Sequence, residues 1–164
     1  MIFVCCGTQM YQFDRLLIQL DILVENGIIN EEIFAQIGTS NYIPKHYKFE
    51  KFISHDKFDE LRRKASIIIS HGGTGALIGA SKLGKNIIAV PRLAKFGEHI
   101  DDHQLQIVDF LDKQGYIRSV VDIEKLGETI IEATNKPITK KYDRESNVLN
   151  IIISYIEKLD NEEI

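Results

Sequence analysis

The chain has 164 residues, 44% hydrophobic and 27% charged, with a formal net charge of −4 and a pI near 5.7. That is enough apolar material for one domain with its own core, and the acidic balance gives no overall attraction to phosphate backbones, so nucleic acid is not an expected partner. No run approaches the roughly 18 to 20 apolar residues that span a bilayer, and no charged leader precedes an apolar segment at the amino terminus, which predicts a cytoplasmic chain.

"MIFVCC" opens as a buried strand. Its neighbours Cys5 and Cys6, the only cysteines, point to opposite faces of a strand, so neither a disulfide framework nor a metal cage is available. Phe13, Leu16, Leu17, Leu20 and Val24 then recur at helical spacing until Gly27 stops the helix. "IFAQIG" reads as a second strand and "YKFEKFI" as a third, and Ser54 caps a helix carrying Phe58, Leu61 and Ala65. A fourth strand ends at Ser70, directly before a glycine-rich turn and a helix. "NIIAV" is the next strand, closed by Pro91; a polar segment follows to about Asp101, then a helix through Lys113 and a short strand, "YIRSV". Asp122 caps one more helix, which Pro137 ends. Residues 136–142 read as a linker, and Val148, Leu149, Ile152, Ile156 and Leu159 place an apolar stripe on a last helix within 143–160, suited to its own sheet or to a partner. Alternating apolar runs and helical segments predict one α/β domain over 1–164, a mostly parallel sheet covered by helices on both faces.

The glycine turn carries the first chemical signal. In "IIISHGGTGALIGASKLG", residues 71–75 are His71, Gly72, Gly73, Thr74 and Gly75. Backbone amides unblocked by side chains then stand at the positive end of a helix, which suits a phosphate; the plainer reading is a tight turn that needs glycine only for its backbone. The first strand is followed by "GTQMYQF" rather than G-x-G-x-x-G, and no G-x-x-x-x-G-K-[ST] occurs, which disfavours NAD binding and ATP hydrolysis. In open α/β sheets ligands sit at the carboxyl ends of strands, so Gly7, Thr8 and Gln9 are expected to share a crevice with the glycine turn. A third segment, "PRLAKFGEHIDDHQLQ", crowds together Arg92, Glu98, His99, Asp101, Asp102, His103 and Gln104, side chains suited to sugar hydroxyls. His99 and His103 would share a helical face, as a metal site needs, only if the helix reached back to Gly97; a solvated helix start is the alternative.

"MIFVCCGT" with "FDRL", "SHGGTGALIGASKLGKNIIAVPR" and "EHIDDHQ" together resemble the C-terminal, donor-binding domain of MurG-related glycosyltransferases. Within that group the chain looks like the PssE-type small subunits of bacterial capsular and exopolysaccharide transferases, and the likeness runs from Met1 to about Thr134. The resemblance implies a Rossmann-like, three-layer domain equivalent to the C-terminal half of a GT-B fold, which holds a UDP-sugar as donor substrate, with no cofactor and no metal. The reaction implied is inverting transfer of a hexose to a polyprenyl-diphosphate-linked saccharide. These 164 residues leave no room for the acceptor-binding half, which is expected on a membrane-associated PssD-type subunit that would hold this chain at the inner face of the membrane. A homo-oligomer stays open. Carried over by position, His71 to Gly75 would contact the donor diphosphate, Gly7 and Thr8 would line the crevice, and Asp102, His103 and Gln104 would meet the sugar, with Arg92 and Glu98 beside them. The base is expected on the partner, with His71 as the candidate in this chain. One position departs from the pattern. Where the relatives carry an acidic residue that hydrogen-bonds the ribose, often in "ILEAL", this chain has Gly79. Either Glu98 or Asp102 replaces it, or donor binding is weakened or lost and the chain is a non-catalytic accessory subunit.

Overall fold

The structure is a computed structural model that describes residues 1–143. The apolar stripe from Val148 to Leu159 lies outside the described residues. Strand β1 (Ile2–Cys5) leads into helix α1 (Asp14–Glu25), then β2 (Ile33–Gln36), β3 (Lys48–Glu50), α2 (His55–Lys64), β4 (Ile67–Ser70), α3 (Thr74–Lys82), β5 (Asn86–Ala89), α4 (His103–Lys113), β6 (Arg118–Ser119) and α5 (Leu126–Asn135). Short 3-10 turns occupy Ala94–Phe96 and Ile123–Lys125. The strands lie in the order β3-β2-β1-β4-β5-β6, and every pairing is parallel. Strand order therefore reverses between β1 and β4, where an open parallel sheet leaves a crevice.

Both faces of the sheet are covered, which is why β1, β4 and β5 are apolar-rich and buried along their whole length. Side chains alternate between two cores. Ile2, Val4 and Cys6 join Leu16, Leu17 and Leu20 of α1 and Ile130 and Ala133 of α5 on one face. Phe3 and Cys5 join Leu77 and Ala80 of α3 and Val108 and Leu111 of α4 on the other, with Phe58 and Leu61 of α2 at its margin. Burial pushes the Cys5 thiol up to about 11 and raises that of Cys6 as well, as expected of core cysteines.

Two connections owe their shape to contacts distant in sequence. Strands β2 and β3 are parallel neighbours without a helix between them, and carboxylates of α1 hold the joining segment in place. Asp14 accepts from the amides of Asn41 and Tyr42 (2.8 and 3.0 Å). The buried Asp21 accepts from the amides of Lys45 and His46 (2.8 and 3.0 Å) and from the Tyr42 hydroxyl (2.8 Å). Residues 136–142, read from sequence as a linker, are an anchored strap. Ile138 N–H donates to Asn86 Oδ1 (3.2 Å), Tyr142 N–H to the Ser81 carbonyl (3.2 Å) and Lys140 Nζ to the Gln114 carbonyl (2.7 Å). These acceptors stand on elements that a local reading of a polar stretch does not see.

Candidate functional site

At the switch point Cys5 of β1 pairs with Ser70 of β4, and the His71 amide donates to the Cys5 carbonyl (3.2 Å). The loops after these two strands therefore meet, and a cleft of about 510 Å³ opens above them. Gly7, Thr8 and His71 to Gly75 line it; His99, His103 and Gln104 stand at one side, and Phe58, Asp59 and Arg62 of α2 at the other.

The glycines serve different purposes. A Cβ on Gly7, whose φ is +85°, would come within 2.8 Å of the His71 ring, and one on Gly73 would run into His71 Nε2. A Cβ on Gly72 would stand 2.6 Å from Gln104 Cβ. Packing inside the protein thus demands glycine at these positions. At Gly75 a Cβ would meet nothing within 4 Å among the described residues. Gly75, in the first turn of α3, lines the cleft and leaves the space beside its Cα open.

His71 Nδ1 lies 3.2 Å from the Cys5 carbonyl. A carbonyl only accepts, so Nδ1 carries the proton and Nε2 the lone pair. Burial, reinforced by the Arg92 guanidinium, lowers the His71 pKa to about 4. The ring is neutral near pH 7, brings no charge to an anion, and is a feeble base.

The polar segment after β5 divides into lining and support. Gln104, nearly fully buried, accepts through Oε1 from the amides of Gly72 (3.0 Å) and Arg92 (3.1 Å), so it ties the glycine turn to the end of β5, and its side-chain amide has no partner among the described residues. Arg92 is buried, donates to the Cys6 carbonyl and lies 5.4 Å from the Phe13 ring centre. Glu98 is buried too; it takes two 2.9 Å bonds from Arg15 and one of 3.0 Å from the Leu93 amide. Asp102 Oδ1 accepts from the Ala94 amide (2.8 Å). Arg92, Glu98 and Asp102 therefore stand apart from the cleft-lining residues, Glu98 with both carboxylate oxygens engaged and the exposed Asp102 with one.

His99, Asp101 and His103 converge at the mouth. Their ligand atoms lie within 4.8 Å of one another, which makes them the group among the described residues that could hold a cation. His99 precedes α4, so a loop reversal rather than helical spacing brings the rings to 4.8 Å. The amide and ring of His103 lower the Asp101 pKa.

Residues 1–158 match the glycosyltransferase family 28 C-terminal domain. The chain belongs to this family. The crystal structure of Acinetobacter baumannii MurG aligns with 96% of the chain at a TM-score of 0.67 and 18% identity. The solution structure of ALG13 aligns with 89% of the chain and 90% of its own length, at a TM-score of 0.57 and 20% identity. The family 28 domain spans about half of MurG, 49% of that chain. These likenesses establish the fold, the Rossmann-like C-terminal half of a GT-B protein. No curated protein sequence matches.

Sequence reasoning passed over the α2 side of the family 28 domain's cleft. Asp59 is the carboxylate there among the described lining residues, and its Oδ1 accepts from Arg62 Nη2 (2.6 Å). Helix α2, "HDKFDELRRK", has no fully buried residue and reads as a solvated helix. The signal available was the i,i+3 spacing of Asp59 and Arg62, which places the pair on one face without saying what that face meets.

Proposed function

We propose that this family 28 domain is the PssE-type, donor-binding half of a two-subunit hexosyltransferase. It would hold a UDP-sugar while a membrane-associated PssD-type partner presents a polyprenyl-diphosphate-linked saccharide, in capsule or exopolysaccharide synthesis. The observation that carries this reading is Gly75: in a cleft at the switch point, it is the turn glycine that internal packing does not require. The match to about half of MurG supports the assignment of this chain to one half of a GT-B fold.

The chemistry assigned to this chain is charge stabilisation. The acceptor hydroxyl oxygen bonds to the anomeric carbon from the face opposite the diphosphate, the glycosidic C–O bond to UDP breaks, and UDP leaves with the electron pair. The turn's amides and the α3 dipole stabilise the negative charge gathering on that diphosphate. Thr74, His103 and Gln104 line the same cleft; in this reading Thr74 adds a hydroxyl beside the amides, and the Gln104 amide and His103 are assigned to the sugar. The hydroxyl proton passes to a base on the acceptor half, because His71, with a pKa of about 4, is poorly suited to take it. No cofactor enters, and transfer is inverting and metal-independent. Among the described residues no helix is long and apolar enough to cross a membrane; the partner would supply attachment at the inner membrane face. A homo-oligomer of the pair is compatible with the same chemistry.

Calorimetric titration with UDP, UDP-glucose, UDP-galactose and UDP-N-acetylglucosamine tests the reading, on the chain alone and with the partner. Runs with a chelator and with Mn²⁺ address the His99, Asp101 and His103 group. Binding with a preference among the sugars is expected. A folded chain that binds none of them to millimolar concentration, alone or with partner, favours the accessory subunit instead. Gly79 and the full engagement of Glu98 outside the cleft favour that second reading.

A further inference from the structure

Gly79 lies one turn beyond Gly75 on the same face of α3. A Cβ at Gly79 would collide with Arg62 Nη1, so the guanidinium lies over the surface of α3 at residue 79, in space that a side chain there would contest. Arg62 lines the cleft, and its side chain is 18% exposed. Asp59 takes one bond from Nη2 (2.6 Å), and the buried Nε finds no partner among the described residues. An arginine held between two helices, with one bond to Asp59 and its other donors unanswered among the described residues, has guanidinium N–H groups to offer a further acceptor in the cleft that it lines.

We propose that Arg62 is a ligand-contacting residue that takes a phosphate oxygen of a nucleoside diphosphate seated on the glycine turn, and that Asp59 positions it. Gly79 and Arg62 form one device: the missing side chain makes the berth, and the guanidinium fills it with positive charge. Phe58, its ring centre 5.7 Å from the guanidinium, backs the arginine on the α2 side. This inference rests on the donor-binding reading and deepens it, since it puts a cation where the relatives' pattern has an acid.

The test is a set of titrations of the full chain at low salt, with UDP by calorimetry and uridine by NMR. Circular dichroism confirms that each variant is folded. Arg62→Gln is expected to weaken UDP tenfold or more and to change uridine less than twofold. Gly79→Ala keeps the charge but takes away the berth, and is expected to weaken UDP by at least threefold. In the double variant the loss should not exceed that of Arg62→Gln alone, because both changes remove the same contact. Asp59→Asn separates positioning from bulk charge: removing a negative charge from the cleft raises UDP affinity if repulsion is all that Asp59 contributes, and lowers it if Asp59 holds Arg62 in place. A fall is expected. UDP affinity within twofold of wild type in Arg62→Gln, equal losses for UDP and uridine, or a rise in Asp59→Asn overturns the assignment and leaves the donor-binding reading standing. No UDP binding by the wild type, alone or with partner, overturns both.

Discussion

Two arginine–carboxylate pairs stand near the cleft, and they are built for different work. Arg15 and Glu98 join α1 to the segment after β5 through two 2.9 Å bonds; Glu98 also takes the Leu93 amide, and Arg15 donates to the Pro91 carbonyl (3.1 Å). Arg62 and Asp59 share one bond on the rim, and Arg62 keeps a buried Nε without a partner among the described residues. Arg15 puts its Nε and Nη2 donors into Glu98 and the Pro91 carbonyl and holds a fully buried carboxylate, which makes that pair a brace. Arg62 gives a single bond to the partly exposed Asp59 and has more to offer a ligand. Position in the sequence pointed the other way, because Glu98 sits in a crowded polar loop and Arg62 on an ordinary-looking helix.

Breaking the brace should have the largest effect. Glu98→Ala leaves Arg15, whose side chain is 13% exposed, without its counter-charge. Removing one partner of a buried pair costs about 3–5 kcal/mol, to be read from urea denaturation; a loss below about 1 kcal/mol would put the two pairs on the same footing. Next comes acid sensitivity at the floor between them. The His71 pKa is about 4 in the fold against an ordinary value of 6.5, so the unfolded chain takes up the proton first as pH falls. The resulting stability is present in full above about pH 6.5 and is lost between pH 6.5 and 4, on the order of 3 kcal/mol. His71→Asn should flatten denaturation midpoints across that window, and an unchanged slope would show that His71 titrates normally.

Smaller effects sharpen the contrast. Gly73→Ala drives a methyl into the His71 ring and should cost about 1–3 kcal/mol, with a matching loss of UDP affinity, whereas Gly75→Ala should leave thermal stability intact and lower UDP affinity. Equal destabilisation by both would erase the distinction between packing and ligand-facing glycines. Smallest of all, Arg62→Gln should change folding stability by about 1 kcal/mol or less, since its pair is partly exposed. A loss as large as that of Glu98→Ala would make Arg62 a second brace.

Much of the scaffold was legible in the residues. Apolar runs such as "IIIS" and "NIIA" coincide with β4 and β5, and Ser54 caps α2 through the Lys57 amide (3.3 Å) as its position implied. The meeting of the first loop with the glycine turn was legible too, because it follows from strand ends in a parallel sheet. The sidedness of the polar loop was not. Arg92, Glu98 and Asp102 look equivalent to Gln104 and His103 as a string, and only their folded positions separate supports from lining.

What the sequence determined by itself is local: apolar period and glycine placement set strands, helices and the phosphate-suited turn, because these depend on neighbours within a few residues. Tertiary structure alone decided which polar groups were already engaged and which were left open. Arg62 meets Gly79 across 17 positions of chain, and Arg15 meets Glu98 across 83. Such contacts depend on how helices are set against the sheet, and no local period encodes which side chains they bring together.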